Sequence, residues 1–337
     1  MGNLELLQII WFILIGFLFT GYSVLDGFDL GVGSLLPFLA KKEEEKKLLF
    51  KAIGPFWDGN EVWLVTAGAA LFAAFPYAYA TVFSGFYLAF MLLLFSLIFR
   101  AVSLELWGLD EKRKSFWEWA FVIGSFLPSL LYGIALGNVV AGIPLDKHMD
   151  FTGSFFTLFR PFPLAVGILG LMAILLQGGT YAVMKSSGEV RKRARKIVNA
   201  IWILFLILLV LCFFIAYVYI PGITGRFFMW FSLIVVLVSW ILLKIFLNKG
   251  NDTAPFYMSS ISFIGLWGIT GAVHFPNLVK SSNNHSFSLT IHNASSTELT
   301  LKLMFIIVLI GMPIVMAYSA YIYKVFKGKV SIEEKEY

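Results

Sequence analysis

Residues 6–40 read LLQIIWFILIGFLFTGYSVLDGFDLGVGSLLPFLA, an apolar segment whose only charged residues are Asp26 and Asp29. As a single helix this segment would be about 50 Å long, which exceeds the ~30 Å apolar thickness of a bilayer. We therefore expect it to tilt, to break near its glycines, or to extend past the membrane surface. A charged side chain at bilayer depth costs at least ~2.5 kcal/mol, so the two acids need partners, water or a function.

A second pair of acids, Asp58 and Glu61, opens another apolar stretch, FWDGNEVWLVTAG at residues 56–68. Each pair is spaced i, i+3, so that both members lie on one face of a helix. The spacing predicts a water-containing cleft between the first two membrane spans, open to the cytoplasm and lined by all four acids. Such a cleft is typical of a path for protons or cations.

The composition excludes a soluble globular domain. Hydrophobic residues make up 59% of the 337 residues, charged residues only 14%, and the mean hydropathy is +0.84. These values predict an all-α polytopic membrane protein. Nine apolar segments are long enough to span a bilayer, at about 6–30, 52–76, 78–100, 117–140, 161–184, 198–220, 227–247, 255–275 and 302–324.

The basic residues predict the orientation of the chain. All but five of the 26 Lys and Arg residues fall in loops that would lie on one side of the membrane. By the positive-inside rule that side is cytoplasmic, which places the N-terminus outside and the C-terminus in the cytoplasm. The net charge of +6 is explained by this asymmetry and gives no indication of nucleic-acid binding.

Two of these features also have ordinary structural interpretations. Asp58 or Asn60 could cap a helix that starts at WDGN, with Glu61 completing a capping box. Arg100, which ends the apolar run FMLLLFSLIFR, is the nearest candidate counter-ion for the acids, with Glu105 just beyond it. Alternatively, Arg100 is a membrane-edge arginine that extends toward water.

The histidines and the cysteine argue against redox ligands in this chain. All four histidines lie at or beyond the outer ends of predicted spans, and a haem held within a helix bundle needs inward-facing axial ligands. These are His148, His274, His285 and His292. The single Cys212 lies in an apolar run and is interpreted as a small hydrophobic residue. We expect no metal site and no bis-histidine haem site.

Similar sequences end the first and fifth spans. Aligning Gly27 with Gly178 places Gln177 opposite Asp26 and Thr180 opposite Asp29. The similarity predicts two pseudo-symmetric four-helix units with a ninth helix appended. In this division, residues 1–145 form the unit with the acidic cleft, 146–275 form a scaffold unit, and 276–337 form an outer loop, the ninth helix and a cytoplasmic tail.

Several motifs resemble subunit II of the cytochrome bd-type quinol oxidases, and the resemblance covers essentially the whole chain. They are DGFDLGVGSLLPFL (26–39), WDGNEVWLVTAGAALFAAFP (57–76), IGSFLPSLLYGIALGNVVAG (123–142), LLQGGTYAVMKSSGE (175–189) and STELTLKLM (296–304). The resemblance implies a bacterial respiratory complex in the cytoplasmic membrane that oxidises quinol and reduces O2 to water. It also implies that haem b558, haem b595 and haem d belong to the partner, subunit I, and that a small accessory subunit of one helix is optional.

The resemblance also assigns residues. The buried acids of the family correspond to Asp29 and Asp58, and four further residues match family positions, namely Asp26, Trp57, Asn60 and Arg100. Glu61 departs from the family pattern, in which an uncharged Gln can occupy this position. The resemblance implies that subunit II stabilises its partner and conducts protons.

A proton-supplying role agrees with the chemistry of O2 reduction, which consumes four protons within the membrane. Carboxylates on the cytoplasmic side could deliver them. Two other functions remain open at the level of the sequence. The chain could be a purely structural partner whose acids are satisfied by one another and by Arg100, or a proton-coupled secondary transporter.

Overall fold

The computed structural model describes residues 2–220 and 222–331, and it is built almost entirely from helices. The helices are α1 (Asn3–Leu39), α2 (Glu43–Ile53), α3 (Trp57–Ala74), α4 (Pro76–Gly85), α5 (Tyr87–Leu106), α6 (Lys114–Ala141), α7 (Pro161–Lys185), α8 (Gly188–Tyr219), α9 (Phe227–Asn248), α10 (Ala254–His274) and α11 (Glu298–Val325). Two short strands, β1 (Asn277–Val279) and β2 (Leu289–Thr290), pair antiparallel in the loop before α11.

Eight helices of the described residues are long and apolar enough to cross a membrane, which confirms the predicted all-α membrane class. The predicted span at 52–76 is the exception. The structure divides it between the end of α2 and the 18-residue α3, and α3 is long enough but not apolar enough, because Asp58, Asn60 and Glu61 lie in its first turns. The predicted span at 78–100 is also divided, since the chain leaves helical geometry at Phe86, between α4 and α5. The division into units at residues 145 and 275 stays a prediction.

Helix α1 is continuous over 37 residues and contains Pro37 in its last turn. It therefore does not break at its glycines, and its length of about 55 Å requires tilting or extension past the bilayer. Its first half is largely half-exposed, whereas every residue from Asp26 to Leu36 is buried. The buried half is surrounded by α3, α6 and α7.

Helices α1 and α7 cross at two glycines. A Cβ atom added to Gly31 would lie 2.2 Å from the carbonyl oxygen of Ile174, and one added to Gly178 would lie 2.3 Å from the carbonyl carbon of Gly31. No side chain fits between the two backbones at this point, so small residues allow the closest approach of the helices. This crossing fixes the depth at which Asp26 and Asp29 stand relative to α7.

The loops predicted to lie on one side of the membrane meet at one end of the bundle, here called the basic end. Lys46 pairs with Glu118 at 2.7 Å, and Lys114 pairs with Glu43 at 2.5 Å. Arg193 at the start of α8 contacts Glu45 at the start of α2. These ion pairs join the loop after α1 to the starts of α6 and α8.

The opposite end of the bundle holds the N-terminus, the β1–β2 hairpin and the start of α11. The indole nitrogen of Trp11 donates to the carbonyl oxygen of Leu301 at 2.9 Å, and both residues are buried. Ser296 donates to the carbonyl oxygen of Ala73 at 2.6 Å. These contacts attach the start of α11 to α1 and α3, although most of α11 is exposed.

Candidate functional site

A buried cluster of charged and polar side chains forms where α1, α3 and α5 meet. The guanidinium of Arg100 holds Asp26 with two contacts, Nη2 to Oδ1 at 2.6 Å and Nη1 to Oδ2 at 3.3 Å. The Nη1 atom also donates to Glu61 Oε1 at 2.7 Å. The side chains of Arg100 and Asp26 are fully buried, whereas that of Glu61 is 25% exposed. Arg100 is therefore a counter-ion of the acids and does not extend to water.

Asp29 takes no part in this ion pair and is held by an amide instead. Asn60 Nδ2 donates to Asp29 Oδ2 at 2.7 Å and to the carbonyl oxygen of Leu25 at 3.2 Å. The second carboxyl oxygen of Asp29, Oδ1, is buried and has no hydrogen-bond partner among residues 2–220 and 222–331. A buried carboxyl oxygen without a partner is a site where a proton or a water molecule would be stabilised.

The cluster contains more carboxyl groups than cations. Asp26, Asp29 and Glu61 surround the one guanidinium of Arg100 in the described part of the chain. Three ionised carboxylates would leave an uncompensated negative charge in a buried place, which is costly. We therefore expect at least one of the three carboxyl groups to be protonated. A cluster of carboxyl groups that holds such a proton can release it and take up another.

The predicted acids differ in their access to solvent. Asp26 and Asp29 are fully buried within residues 2–220 and 222–331, so the predicted cleft open to the cytoplasm does not reach them there. Asp58 is exposed on the first turn of α3, one turn before Glu61. The acids thus form a graded series from exposed through partly exposed to buried.

Two of the predicted supporting residues, Asn60 and Arg100, form hydrogen bonds with the acids. The other two, Trp57 and Glu105, do not form such bonds within the described residues. Trp57 is half-buried at the start of α3, and Glu105 is exposed near the end of α5. Neither donates to nor accepts from Asp26, Asp29 or Glu61 in the hydrogen bonds of the described residues. The capping interpretation does not hold either, because α3 begins after Phe56 without a side-chain cap.

The structure adds Tyr323, which sequence analysis did not identify. Its hydroxyl donates to Asn60 Oδ1 at 3.0 Å, and its ring stacks on Phe56 with centroids 4.6 Å apart. Tyr323 lies 263 positions from Asn60 in an apolar helix, where no local pattern distinguishes it from a membrane-edge tyrosine. Only its place in the fold identifies it.

Gln177, which the internal alignment placed opposite Asp26, is also buried against α1. Its Nε2 donates to the carbonyl oxygen of Val24 at 3.0 Å and to Ser260 Oγ at 2.9 Å. Thr180, aligned with Asp29, donates to the carbonyls of Leu176 and Gln177 on its own helix and has no other side-chain hydrogen bond within the described residues. Helix α7 therefore presents uncharged groups at the positions that the internal alignment matches to the acids of α1.

Comparison with known proteins identifies the family to which this chain belongs. Residues 7–326 match the family described as cytochrome bd terminal oxidase subunit II. The chain belongs to this family, and it is accordingly a subunit of a bacterial terminal oxidase of the respiratory chain, with a subunit 1 as its partner.

Several curated proteins are similar over their whole length. Cytochrome bd-I ubiquinol oxidase subunit 2 of Escherichia coli (strain K12) is 34% identical, covering 100% of this chain and 98% of its own. Cytochrome bd ubiquinol oxidase subunit 2 of Bacillus subtilis (strain 168) is 32% identical, and the match covers 96% of this chain and 97% of the Bacillus protein. A chain in the structure of bd oxidase from Geobacillus thermodenitrificans is only 15% identical but has the same fold, with a TM-score of 0.80 over 95% of this chain and 98% of that chain.

The family name implies haem in the complex. Whether this chain could supply the axial ligands of a haem depends on where its histidines lie. Three of the four, His148, His285 and His292, are exposed in loops. His274 is buried at the last residue of α10, away from the acid cluster on α1, α3 and α5. The described residues therefore do not provide the inward-facing pair that a bis-histidine haem site needs.

Proposed function

We propose that this chain is the haem-free subunit II of a cytochrome bd-type quinol:O2 oxidoreductase. In this role it stabilises the haem-bearing subunit I and supplies protons from the cytoplasm for the reduction of O2 to water. Haem b558, haem b595 and haem d, together with the quinol chemistry, are assigned to subunit I. A small accessory subunit of one helix is compatible with this assignment.

The observation that carries the proton role is the uneven pairing of the acids. Asp26 and Glu61 are held by Arg100, whereas Asp29 has one amide donor and one free oxygen in a fully buried place. A group that only served packing would be expected to have both oxygens satisfied. Asp29 is therefore the best candidate for the innermost proton carrier of this chain.

The graded exposure of the acids supports a route. Asp58 is exposed, Glu61 is partly exposed and one turn further along α3, and Asp26 is joined to Glu61 through Arg100. A proton that arrives at Asp58 would pass to Glu61 and then to the buried acids on α1. This direction requires that the basic end faces the cytoplasm, as the positive-inside rule predicts.

A structural role is the second candidate, and one observation favours it. The contacts of Arg100 with Asp26 and Glu61 join α1, α3 and α5, as expected for an ion pair that holds helices together. In this case the acids would stabilise the subunit without exchanging protons during turnover. The transporter alternative has no supporting observation once the family is known.

Amide substitutions in the purified complex test the proton role. Asp29→Asn and Asp58→Asn keep the size of the side chain but remove its titratable proton. We expect near-normal haem content and assembly, with slower quinol-driven O2 reduction and slower proton uptake. Glu61→Gln should change both rates in the same direction, because the proposed route passes through Glu61. Glu44→Gln, which changes an exposed acid at the basic end, is the control. Normal turnover and proton uptake in an assembled Asp29→Asn, Asp58→Asn double variant would leave only the structural role.

A further inference from the structure

Lys185, the last residue of α7, is a buried cation without a carboxylate partner. It is only 6% exposed, and no ion pair of the described residues involves it. A lysine at the end of a helix ordinarily extends to water or bonds to the last carbonyls of its own helix. Because a buried ammonium group costs free energy unless it is satisfied, the contacts that Lys185 makes instead indicate a specific role.

The ammonium group of Lys185 contacts two other elements of the basic end. Its Nζ atom donates to the carbonyl oxygen of Phe326, the residue directly after α11, at 2.5 Å. It also lies 5.5 Å from the ring centroid of Phe56 and 5.9 Å from that of Tyr181, within the range of a cation–π interaction. One carbonyl and two aromatic faces thus replace water around the charge, and they join the end of α7 to the end of α11.

The residues that follow α11 are attached to Lys185 a second time. The amide of Val330 donates to the carbonyl oxygen of Lys185 at 2.9 Å. In addition, Lys329 pairs with Asp252, in the loop before α10, at 3.0 Å. Residues 326–331, here called the C-terminal segment, therefore lie across the basic end and are held there by the side chain and the backbone of one buried residue.

The last turn of α11, next to this attachment, contains Tyr323. The ring of Tyr323 stacks on Phe56 with centroids 4.6 Å apart, so the ring below the Lys185 ammonium group also supports the tyrosine. The hydroxyl of Tyr323 donates to Asn60, whose amide nitrogen donates to Asp29 at 2.7 Å. A displacement of the end of α11 would therefore reach the buried carboxyl group through two consecutive hydrogen bonds.

We propose that Lys185 is a positioning residue for the proton route. It fixes the end of α11, so that Tyr323 keeps the amide nitrogen of Asn60 turned toward Asp29. This inference rests on the proposed proton role of Asp29. A lysine that served stability alone would not act through Tyr323, and this difference can be measured.

Lys185→Met in the purified complex tests the attachment and the rate together. The substitution keeps a long side chain in the buried place but removes the ammonium group. Hydrogen exchange of the C-terminal segment, measured by mass spectrometry, should become faster. The kcat of quinol-driven O2 reduction should fall by up to roughly fivefold, the limit set by the loss of one hydrogen bond, with the KM for quinol unchanged. The control is Lys327→Met, which removes an exposed lysine of the same segment and should change none of these quantities.

A double-mutant cycle tests whether Lys185 acts through Tyr323. Because both substitutions would remove the same constraint on Asn60, the double variant Lys185→Met, Tyr323→Phe should be no slower than the slower of the two single variants. Effects that multiply in the double variant would place the action of Lys185 elsewhere and would overturn the proposal.

A second variant decides the question if Lys185→Met does not assemble. Val330→Pro removes the amide hydrogen that donates to Lys185 and leaves the lysine in place, whereas Val330→Ala keeps this hydrogen. Val330→Pro should speed exchange of the C-terminal segment and slow turnover, and Val330→Ala should do neither. Exchange and turnover that stay at the level of the controls in the assembled variants would refute the positioning role.

The same measurements separate this inference from the proton role on which it rests. Slower turnover in Asp29→Asn, together with normal turnover in an assembled Lys185→Met, would reject the positioning role alone. Normal turnover in Asp29→Asn would reject the proton role and with it the positioning role, and hydrogen exchange would then still show whether Lys185 holds the C-terminal segment.

Discussion

The hydroxyl group of Tyr323 donates to Asn60 Oδ1 at 3.0 Å, and the same amide donates from Nδ2 to Asp29 Oδ2 at 2.7 Å. Because the tyrosine occupies the amide oxygen, the amide nitrogen is the atom that faces the acid. Helix α11 is largely exposed, yet through this one residue it contributes to the orientation of the amide that holds a fully buried carboxylate.

Tyr323→Phe should slow turnover without loss of haem. The substitution removes one hydrogen bond and leaves the ring stacked on Phe56, so the amide of Asn60 loses the contact that holds its oxygen and is oriented only by the two bonds of its nitrogen. One such bond is worth about 1 kcal/mol, which sets an expected decrease of up to roughly fivefold in quinol-driven O2 reduction. The pH profile of the rate should shift as well. Tyr318→Phe, an exposed tyrosine on the same helix, is the control.

Arg100→Gln should prevent assembly of the complex. It leaves Asp26 and Glu61 without a counter-ion, and loss of one partner of a buried pair typically costs about 3–5 kcal/mol. The triple variant Arg100→Gln, Asp26→Asn, Glu61→Gln removes the charges together and should recover part of the lost assembly, measured as haem per complex after purification. Unchanged assembly of the single variant would contradict the ion-pair geometry.

Gly31→Ala should destabilise the subunit. The added methyl group would meet the backbone of α7 at 2.2 Å, so the two helices would have to separate. Overpacking of this kind typically costs about 1–3 kcal/mol and would be measured as a lower melting temperature of the complex. Gly16→Ala on the same helix adds the same methyl group into open space and should leave the melting temperature nearly unchanged.

Asp252 should link stability at the basic end to pH. It pairs with Arg191 at 2.8 Å and with Lys329 at 3.0 Å. Partial burial raises the pKa of Asp252, but hydrogen bonds and charges from Arg191 and Lys329 outweigh this effect, and the pKa lies below its ordinary value. The stabilisation is therefore fully present above the unfolded-state pKa of about 3.9 and is lost as the pH falls through the lower folded-state value.

The measurement compares the melting temperatures of the complex with and without Asp252→Asn. The difference should be largest at neutral pH and low salt. It should begin to fall below about pH 4 and disappear only below the lower folded-state pKa, where the unmodified side chain is protonated in the folded protein as well. A difference that persists unchanged in acid would show that the contribution of Asp252 is not electrostatic.

The haem assignment can be tested on the histidines. His274→Ala, in the purified complex, should leave all haem bands in the absorbance spectrum and the haem-to-protein ratio unchanged, because we assign the haems to subunit I. The same result is expected for His148→Ala, an exposed histidine in an outer loop. Loss of one haem in the first variant alone would place an axial ligand in this chain.

Sequence reasoning predicted the membrane class because it depends on local composition. The lengths of the apolar runs and the clustering of Lys and Arg are readable without any tertiary contact. The divisions near residues 56 and 86 were not predicted, since hydropathy is nearly continuous across both. A hydropathy window reports how apolar a segment is and does not report where a helix ends.

The candidate site was predicted in part, for a similar reason. The acids and Arg100 could be identified from the sequence because charged residues are rare in an apolar run. Their pairing could not be predicted, because Asp26 and Arg100 are 74 positions apart and meet only when α1 and α5 fold together. Asp58 received more weight than Glu61 from the family pattern, whereas in the structure Glu61 contacts Arg100 and Asp58 is exposed.

The contact between Asp26 and Arg100 has a consequence for synthesis of the chain in the cell. Helix α1 leaves the ribosome first, and its two acids must enter the lipid before α5, which supplies their counter-ion, has been made. Until then each ionised acid would cost about 2.5–3.5 kcal/mol at the centre of the bilayer. The nascent helix must therefore insert with its acids protonated or wait beside the insertion machinery, so biogenesis of this subunit is sensitive to the delay between its first and fifth helices.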